Sequence, residues 1–433
     1  MPVADHTAGA SVEPTSGPPK GTGRARIALF GIFGIQNLGN ECTLQATLHN
    51  VRERLPGAEL YTICYEPRDV LRRHALPSVS VSARSSTDAI SAPSAAARNP
   101  LRRCLRILFQ RIPGELREWL RAFRTLQGTD LLLMTGTGML TDYNCSASGY
   151  PYDVLKWTVA GRLAGCKVRF VSIGVGPLHE RLSRRFVRWA LGLADYRSYR
   201  DHVSRSRLEA LGIDTSRDRV FPDLAFSLPP AALPDGPAPN GRRCVVGLGV
   251  MNHVDAHEPG HDRPERYRRY LSRMGDFAAW LLERGYGVRI LQGDAKHDGT
   301  ARRDLRATLE QRGLKYGIAD IVDEDSTSVS ELLVQLAQTD VVVSPRFHNL
   351  ILGLLLNKPV MSISYDPKND ALLEQFGLGR YCQPIDALDV DRLIEQFIDL
   401  DRHRAERLSV LREKADEHRR RLDEQYRLVL ANR

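Results

Sequence analysis

Apolar positions along the chain follow two alternating patterns. Short runs rich in Val, Ile, Leu and Phe predict strands buried on both faces. These are "ARIALFGIF" (25–33), "AELYTICY", "DLLLMTG" (130–136) and "KVRFVSIGVG" (167–176), followed by the shorter "YRSYRD" and by "DRVFPDLAFSL". Between them, "CTLQATLHNVRERL" and "FVRWALGLA" carry apolar residues at helical spacing. A second series repeats the scheme. The strands "CVVGLGV", "GVRILQGD", "ADIVDE", "VVVS" and "PVMSIS" alternate with the helices "RYRRYLSRMGDFAAWLLERG", "DGTARRDLRATLEQRG", "SVSELLVQLAQT" and "NLILGLLL", and a long charged helix fills 402–431.

Strands alternating with helices predict parallel sheets joined by helical crossovers, an α/β fold. The stretch "SLPPAALPDGPAPNGRR" (227–243) carries five prolines and two glycines and separates the two series. The expected organisation is therefore two Rossmann-like domains, 26–228 and 244–400, joined by a linker at 229–243 and followed by a C-terminal helix at 401–433. Their site is expected in the cleft between them. A Gly, Pro, Ser and Thr-rich tail at 1–25 and a Ser/Ala insertion at 76–100 are expected to lack fixed structure.

Composition narrows the class. The 433 residues, 42% hydrophobic and 26% charged, describe a two-domain globular protein. The longest apolar run is broken by Lys358 and Pro359, short of the ~20 residues that span a bilayer. The start of the chain lacks the pattern of a secretory signal. Seven cysteines without a C-x-x-C pair argue against a zinc module or disulfide framework and for a cytoplasmic setting. The net charge of +9 comes from arginines interspersed with acids. That pattern points to an anionic small substrate or an acidic surface rather than to nucleic acid. The segment 101–112, "LRRCLRILFQRI", interleaves four arginines with Leu, Ile and Phe and suits peripheral contact with the inner face of a membrane as well as a packed helix.

Two cations and an imidazole stand where core residues would be expected. In "VVVSPRFHNLILGLLLNKPVMSISYDPKND" (341–370), Arg346 and His348 follow one buried run directly and Lys368 follows the next. Ligands of open parallel sheets sit beyond the carboxyl ends of strands, where these residues fall. An anion held by Arg346 and Lys368, with His348 exchanging a proton, is the functional reading. Helix capping and ion pairing is the structural one. Arg200, in "YRSYRDHVS", is the N-terminal domain's candidate for the same anion; its alternative is a pair with Asp201 or Asp195. Glycines at strand ends (Gly34, Gly39, Gly136, Gly138, Gly174, Gly176) permit close backbone approach. Asn37, Glu41 and Asp142 beside them are candidates for hydrogen bonds to an acceptor, or else for caps. "GLGVMN" lacks the third glycine of a dinucleotide site. His253, His257 and His261 have no partner set for a metal, so neither cofactor nor metal is expected.

Several of these pieces occur together and in order: "GIFGIQNLGNECTLQATL", "DLLLMTGTGMLTD", "VSIGVGPL", "YRSYRDHVSRSRLEALGI", "VFPDLAFSL" and "PRFHNLILGLLLNKPVMSISYDPK". In them the chain resembles the polysaccharide pyruvyltransferases, bacterial enzymes that move the pyruvyl group of phosphoenolpyruvate onto a sugar as a ketal. The resemblance implies a glycosyltransferase-B-like pair of domains, phosphoenolpyruvate as donor, a saccharide acceptor of a polysaccharide or lipid-linked precursor, and His348 as general acid/base. Asn40 stands where the family carries aspartate, and Thr137 interrupts its second glycine run. Two alternatives stay open: a nucleotide-sugar glycosyltransferase of the same architecture, and a non-catalytic protein that binds an anion. The oligomeric state is not legible.

Overall fold

The structure is a computed structural model that describes residues 24–82, 112–143, 145–236, 243–252, 262–313, 317 and 320–431. The N-terminal tail up to 23, most of the Ser/Ala insertion (83–100), the basic segment 101–111, and His253, His257 and His261 lie outside the described residues.

Two wholly parallel sheets carry the fold. In the first, β1 (Arg26–Phe30), β2 (Glu59–Cys64), β3 (Ser78–Ser80), β4 (Leu131–Met134), β5 (Lys167–Ile173), β6 (Tyr196–Tyr199) and β7 (Arg219–Val220) lie in the order β3-β2-β1-β4-β5-β6-β7. In the second, β8 (Val245–Gly249), β9 (Gly287–Leu291), β10 (Ile321–Asp323), β11 (Val341–Ser344), β12 (Val360–Ser364) and β13 (Cys382–Pro384) lie in the order β10-β9-β8-β11-β12-β13. Each order reverses after its first strand, which opens a crevice at the carboxyl edge.

The connecting helices cover both faces. In the first half they are α1 (Leu38–Arg54), α2 (Pro67–His74), α3 (Ile112–Leu126), α4 (Tyr150–Leu163), α5 (Arg181–Gly192) and α6 (His202–Ala210). In the second they are α7 (Arg263–Glu283), α8 (Asp298–Gln311), α9 (Val329–Ala337), α10 (Phe347–Leu355), α11 (Pro367–Gln375), α12 (Val390–Arg402) and α13 (Arg404–Ala431). Helix α10 is apolar on nearly every side and is buried almost throughout.

Two elements were not expected from the pattern of the sequence. Helix α2 and strand β3 begin within or just before the insertion expected to be unstructured. Strand β3 is a three-residue edge strand with no apolar run to announce it. Conversely, "DRVFPDLAFSL" is strand only at Arg219–Val220. Pro222 has no N–H for the ladder, and the Asp223 carboxylate accepts from the Ala225 N–H at 3.0 Å, turning Leu224–Ser227 into a 3-10 turn.

The two halves are not separate cores. One apolar cluster runs from Ile27 and Leu29 of β1 through α1 and Leu224–Phe226 to α10, the second sheet and Leu422, Tyr426 and Val429 of α13. A second cluster, including Trp157, Phe170 and Val187, fills the opposite face of the first sheet under α3, α4 and α5. Backbone hydrogen bonds also cross between the halves, from Leu38 N–H to the Gly293 carbonyl and from Ala295 N–H to the Gln36 carbonyl, both at 3.0 Å. Helix α13 returns from the second half to the first, where Gln425 bonds Ser172 and Ser198 and Arg421 bonds the Val220 carbonyl.

Candidate active site

His348 stands in the first turn of α10, directly after β11, and its side chain is 16% exposed. The imidazole lies where the two halves meet. A methyl group on Gly39, at the start of α1, would fall 2.0 Å from Nδ1. Only glycine lets the helix start approach this closely. On its other edge, Nε2 lies 3.7 Å from Asp223 Oδ1. That is beyond hydrogen-bond reach, and Nε2 is buried without a hydrogen-bond partner.

Asp223 is itself buried. Burial pushes its carboxyl up, but the His348 imidazole, the Arg200 guanidinium and the Ala225 N–H outweigh that and hold it below the usual carboxylate range. The arrangement is a histidine with a buried carboxylate near one ring nitrogen. Asp223 sits in a quoted motif, yet the sequence alone does not single it out, because its stretch carries the apolar pattern of a strand and the Asp-capped turn forms only in the fold.

Arg200, at the carboxyl end of β6, reaches the same point from the first half. It contacts Asp223 at 3.2 Å and Asp201 at 3.3 Å, and its guanidinium lies 4.8 Å from the Phe347 ring centre. Gly174 gives it room, since a Cβ there would lie 2.6 Å from the Arg200 Cζ. Burial opposes the Arg200 charge and the two aspartates more than restore it. Arg200 therefore does pair with Asp201, while Asp195 is taken by Arg162.

Arg346 is committed within its own half. Its Nε and Nη2 both bond the fully buried Asp298 carboxylate, with Nε at 3.0 and 3.1 Å from the two oxygens. Asp298 also accepts from the Gly293 and Asp294 N–H groups at 2.9 Å. Two nitrogens of the guanidinium are thus held for positioning.

Lys368 differs. Among the described residues no carboxylate pairs with its ammonium, which lies 4.6 Å from the Tyr365 ring centre and 5.8 Å from that of Phe347. Burial pushes the Tyr365 phenol up, but Lys368, which hydrogen-bonds it, and Arg346 together bring it below its ordinary range. The next residue, Asp366, caps α11 through the Lys368 N–H and pairs with Arg207 of the first half at 3.2 Å. Against burial, the Lys368 charge also helps hold the Asp366 carboxyl below its ordinary range.

Three acceptor candidates are in structural use. The Glu41 oxygens accept from the Gly34 N–H at 2.7 Å and face His74 Nε2 at 2.9 Å. The Asp142 oxygens accept from the His179 and Glu180 N–H groups at 2.9 and 2.8 Å, ahead of α5. Asn37 caps α1 through Asn40 N–H and donates to Asp294 across the halves at 3.1 Å. Each of the three thus already holds a structural partner. Gly136 leaves a Cβ only 2.9 Å from the Ser172 carbonyl, and Gly138 faces open space. Asn40 is half-buried and Thr137 is buried beside the Ile32 N–H. Among the described residues, no cluster of His, Cys, Asp and Glu is arranged to hold a metal ion.

The family model for polysaccharide pyruvyl transferase matches residues 37–367. The chain belongs to this family. Its members are transferases of polysaccharide biosynthesis, and the matched span contains every residue of the cluster except Lys368, which follows it directly. The amylovoran biosynthesis protein AmsJ of Erwinia amylovora is 23% identical over 236 residues, 52% of this chain and 56% of that protein. The match thus spans little more than half the length of that relative. Among solved structures, Anabaena Alr3699/HepE in complex with UDP and glucose superposes with a TM-score of 0.57 at 12% identity, over 95% of this chain and 100% of that one. UDP-GlcNAc 2-epimerase of Neisseria meningitidis gives 0.55 at 10% identity, over 94% and 100%. At such identities the likeness is one of fold, and the fold is glycosyltransferase-B-like.

Proposed function

We propose that this family member transfers the pyruvyl group of phosphoenolpyruvate onto a saccharide of a polysaccharide precursor as a ketal. The observation that carries the reading is the His348–Asp223 pair beside Lys368, which has no ion-pair partner among the described residues. Phosphoenolpyruvate brings about three negative charges, which call for fixed cations in a partly closed site. Lys368 supplies positive charge, and the unbonded end of Arg346 and the guanidinium of Arg200 complete the cradle.

His348, with Asp223 beside it, gives a proton to the methylene carbon of the donor. The adjacent carbon becomes oxocarbenium-like, and a first sugar hydroxyl adds to it. The hydroxyl's proton returns to the imidazole. Cleavage of the carbon–oxygen bond then releases phosphate and regenerates the cationic centre. A second hydroxyl adds, its proton leaving with the phosphate or to solvent, and the ketal is closed. Donor and acceptor are the only co-reactants, and the setting expected is the cytoplasmic face where such precursors are assembled.

The test is incubation of the full chain with phosphoenolpyruvate and a panel of free and lipid-linked oligosaccharides. Phosphate release matched by a gain of about 70 Da on one acceptor supports the reading (pyruvyl transfer with loss of phosphate). Release of nucleoside diphosphate from a sugar nucleotide, with phosphoenolpyruvate untouched, overturns it.

A further inference from the structure

Helices α3, α4 and α5 lie side by side on the face of the first sheet opposite α1, and each begins at the carboxyl edge, the edge that carries the site. Helix α5 has three faces rather than two. Ser183, Val187, Ala190 and Leu191 point into the core. A second apolar stripe, Leu182–Phe186–Trp189, runs at helical spacing outside it, with Leu182 47% and Trp189 54% exposed. Helix α3 mirrors this. Its Ala122 and Leu126 are buried, while Leu116 and Leu120, one turn apart, are 65% and 45% exposed. The two stripes are joined by a chain of ring contacts from Trp119 to Tyr152 at 6.4 Å, on to Phe186 at 5.9 Å and to Trp189 at 6.2 Å. A contiguous apolar surface of this kind on a water-facing layer needs an occupant.

Charge says which. The remaining face of α5 holds Arg181, Arg184, Arg185 and Arg188 and no acid. None of the four is ion-paired among the described residues; Arg184 and Arg188 bond only backbone carbonyls. The acids of α3 are already engaged, Glu115 by the Tyr152 hydroxyl and Glu118 by Arg121. A second copy of the chain docking here by two-fold symmetry would bring arginine rows of like sign together. An anionic lipid surface instead meets the arginines with opposite charge and takes Leu and Trp side chains into its headgroup boundary.

We infer that the outer face of α3 and α5 docks the protein onto an anionic lipid bilayer, with the carboxyl edge of the first sheet, and so the site, turned along the membrane. The inference goes beyond the proposed chemistry and fits an acceptor carried on a lipid.

The experiment is flotation of the full chain with vesicles of phosphatidylcholine alone or with about one third phosphatidylglycerol, at low and high salt. Two variants accompany it: Leu120→Gln with Trp189→Gln, and Arg181→Glu with Arg185→Glu. The expected result is flotation with anionic vesicles only, reversed by salt, and reduced at least about tenfold in either variant. Unchanged melting temperature and unchanged transfer to a water-soluble acceptor are expected alongside. No flotation, equal flotation with neutral vesicles, or variants that float like the parent overturn the inference. So does a concentration-dependent dimer that the same substitutions dissolve. Flotation involves no turnover, so its failure leaves the reading of the site standing, and an inactive site leaves the docking surface standing.

Discussion

Among single residues, groups that react are distinct from groups that hold. His348→Asn is expected to lower kcat by about 10²–10⁴-fold while the melting temperature and donor binding stay close to the parent; turnover beside calorimetry checks this. Lys368→Met removes a cation of the cluster and is expected to raise the KM for phosphoenolpyruvate, by roughly tenfold to a hundredfold, more than it lowers kcat. Gly39→Ala places a methyl 2.0 Å from the imidazole and displaces it. The expected loss is about 10²-fold in kcat in a chain that still folds. Arg346, His348 and Lys368 were legible because charges at the ends of buried runs have no place in a core. Asp223 and Tyr365 were not, since their roles come from neighbours brought together only by the fold. Glu41 and Asp142 are acceptor candidates by sequence, and the fold adds that each also accepts from backbone N–H groups, which no local pattern announces.

At the scale of elements, α13 ties the halves together and buries His418 between Phe226 and Phe376, at ring-centre distances of 4.7 and 5.0 Å. Burial pushes this imidazole down to about 4 from an ordinary value of 6.5. The unfolded chain takes up the proton first as pH falls, so stability is full above about 6.5 and drains away between there and about 4, by up to roughly 3 kcal/mol. Thermal melts at pH 7.5 and 5 are expected to show a fall in Tm beyond that of His418→Phe, in which this contribution is gone. The alternation of strands and helices was readable because both sheets are buried on two faces, which leaves uninterrupted apolar runs. Strand β3 and the turn at Leu224–Ser227 were not, because an edge pairing and an Asp-capped turn depend on what lies next to them rather than on local pattern.

For the whole molecule, the proline-rich stretch invites a picture of two lobes that fold alone, yet one apolar core crosses from β1 through α10 to α13. Unfolding is therefore expected as a single calorimetric transition rather than two. Two resolved transitions contradict that continuity. The same continuity fixes the geometry of the site, since Gly39, Arg200 and Asp223 come from one half and His348, Tyr365 and Lys368 from the other. The central claim is that the imidazole at this junction delivers a proton to the donor's methylene carbon. Transfer carried out in D2O tests it most directly, by mass spectrometry of the pyruvylated saccharide. One solvent deuterium in each new methyl group, with product absent from His348→Ala, is predicted. Product formed by His348→Ala at the parent rate, or a parent product whose methyl carries no deuterium, contradicts it.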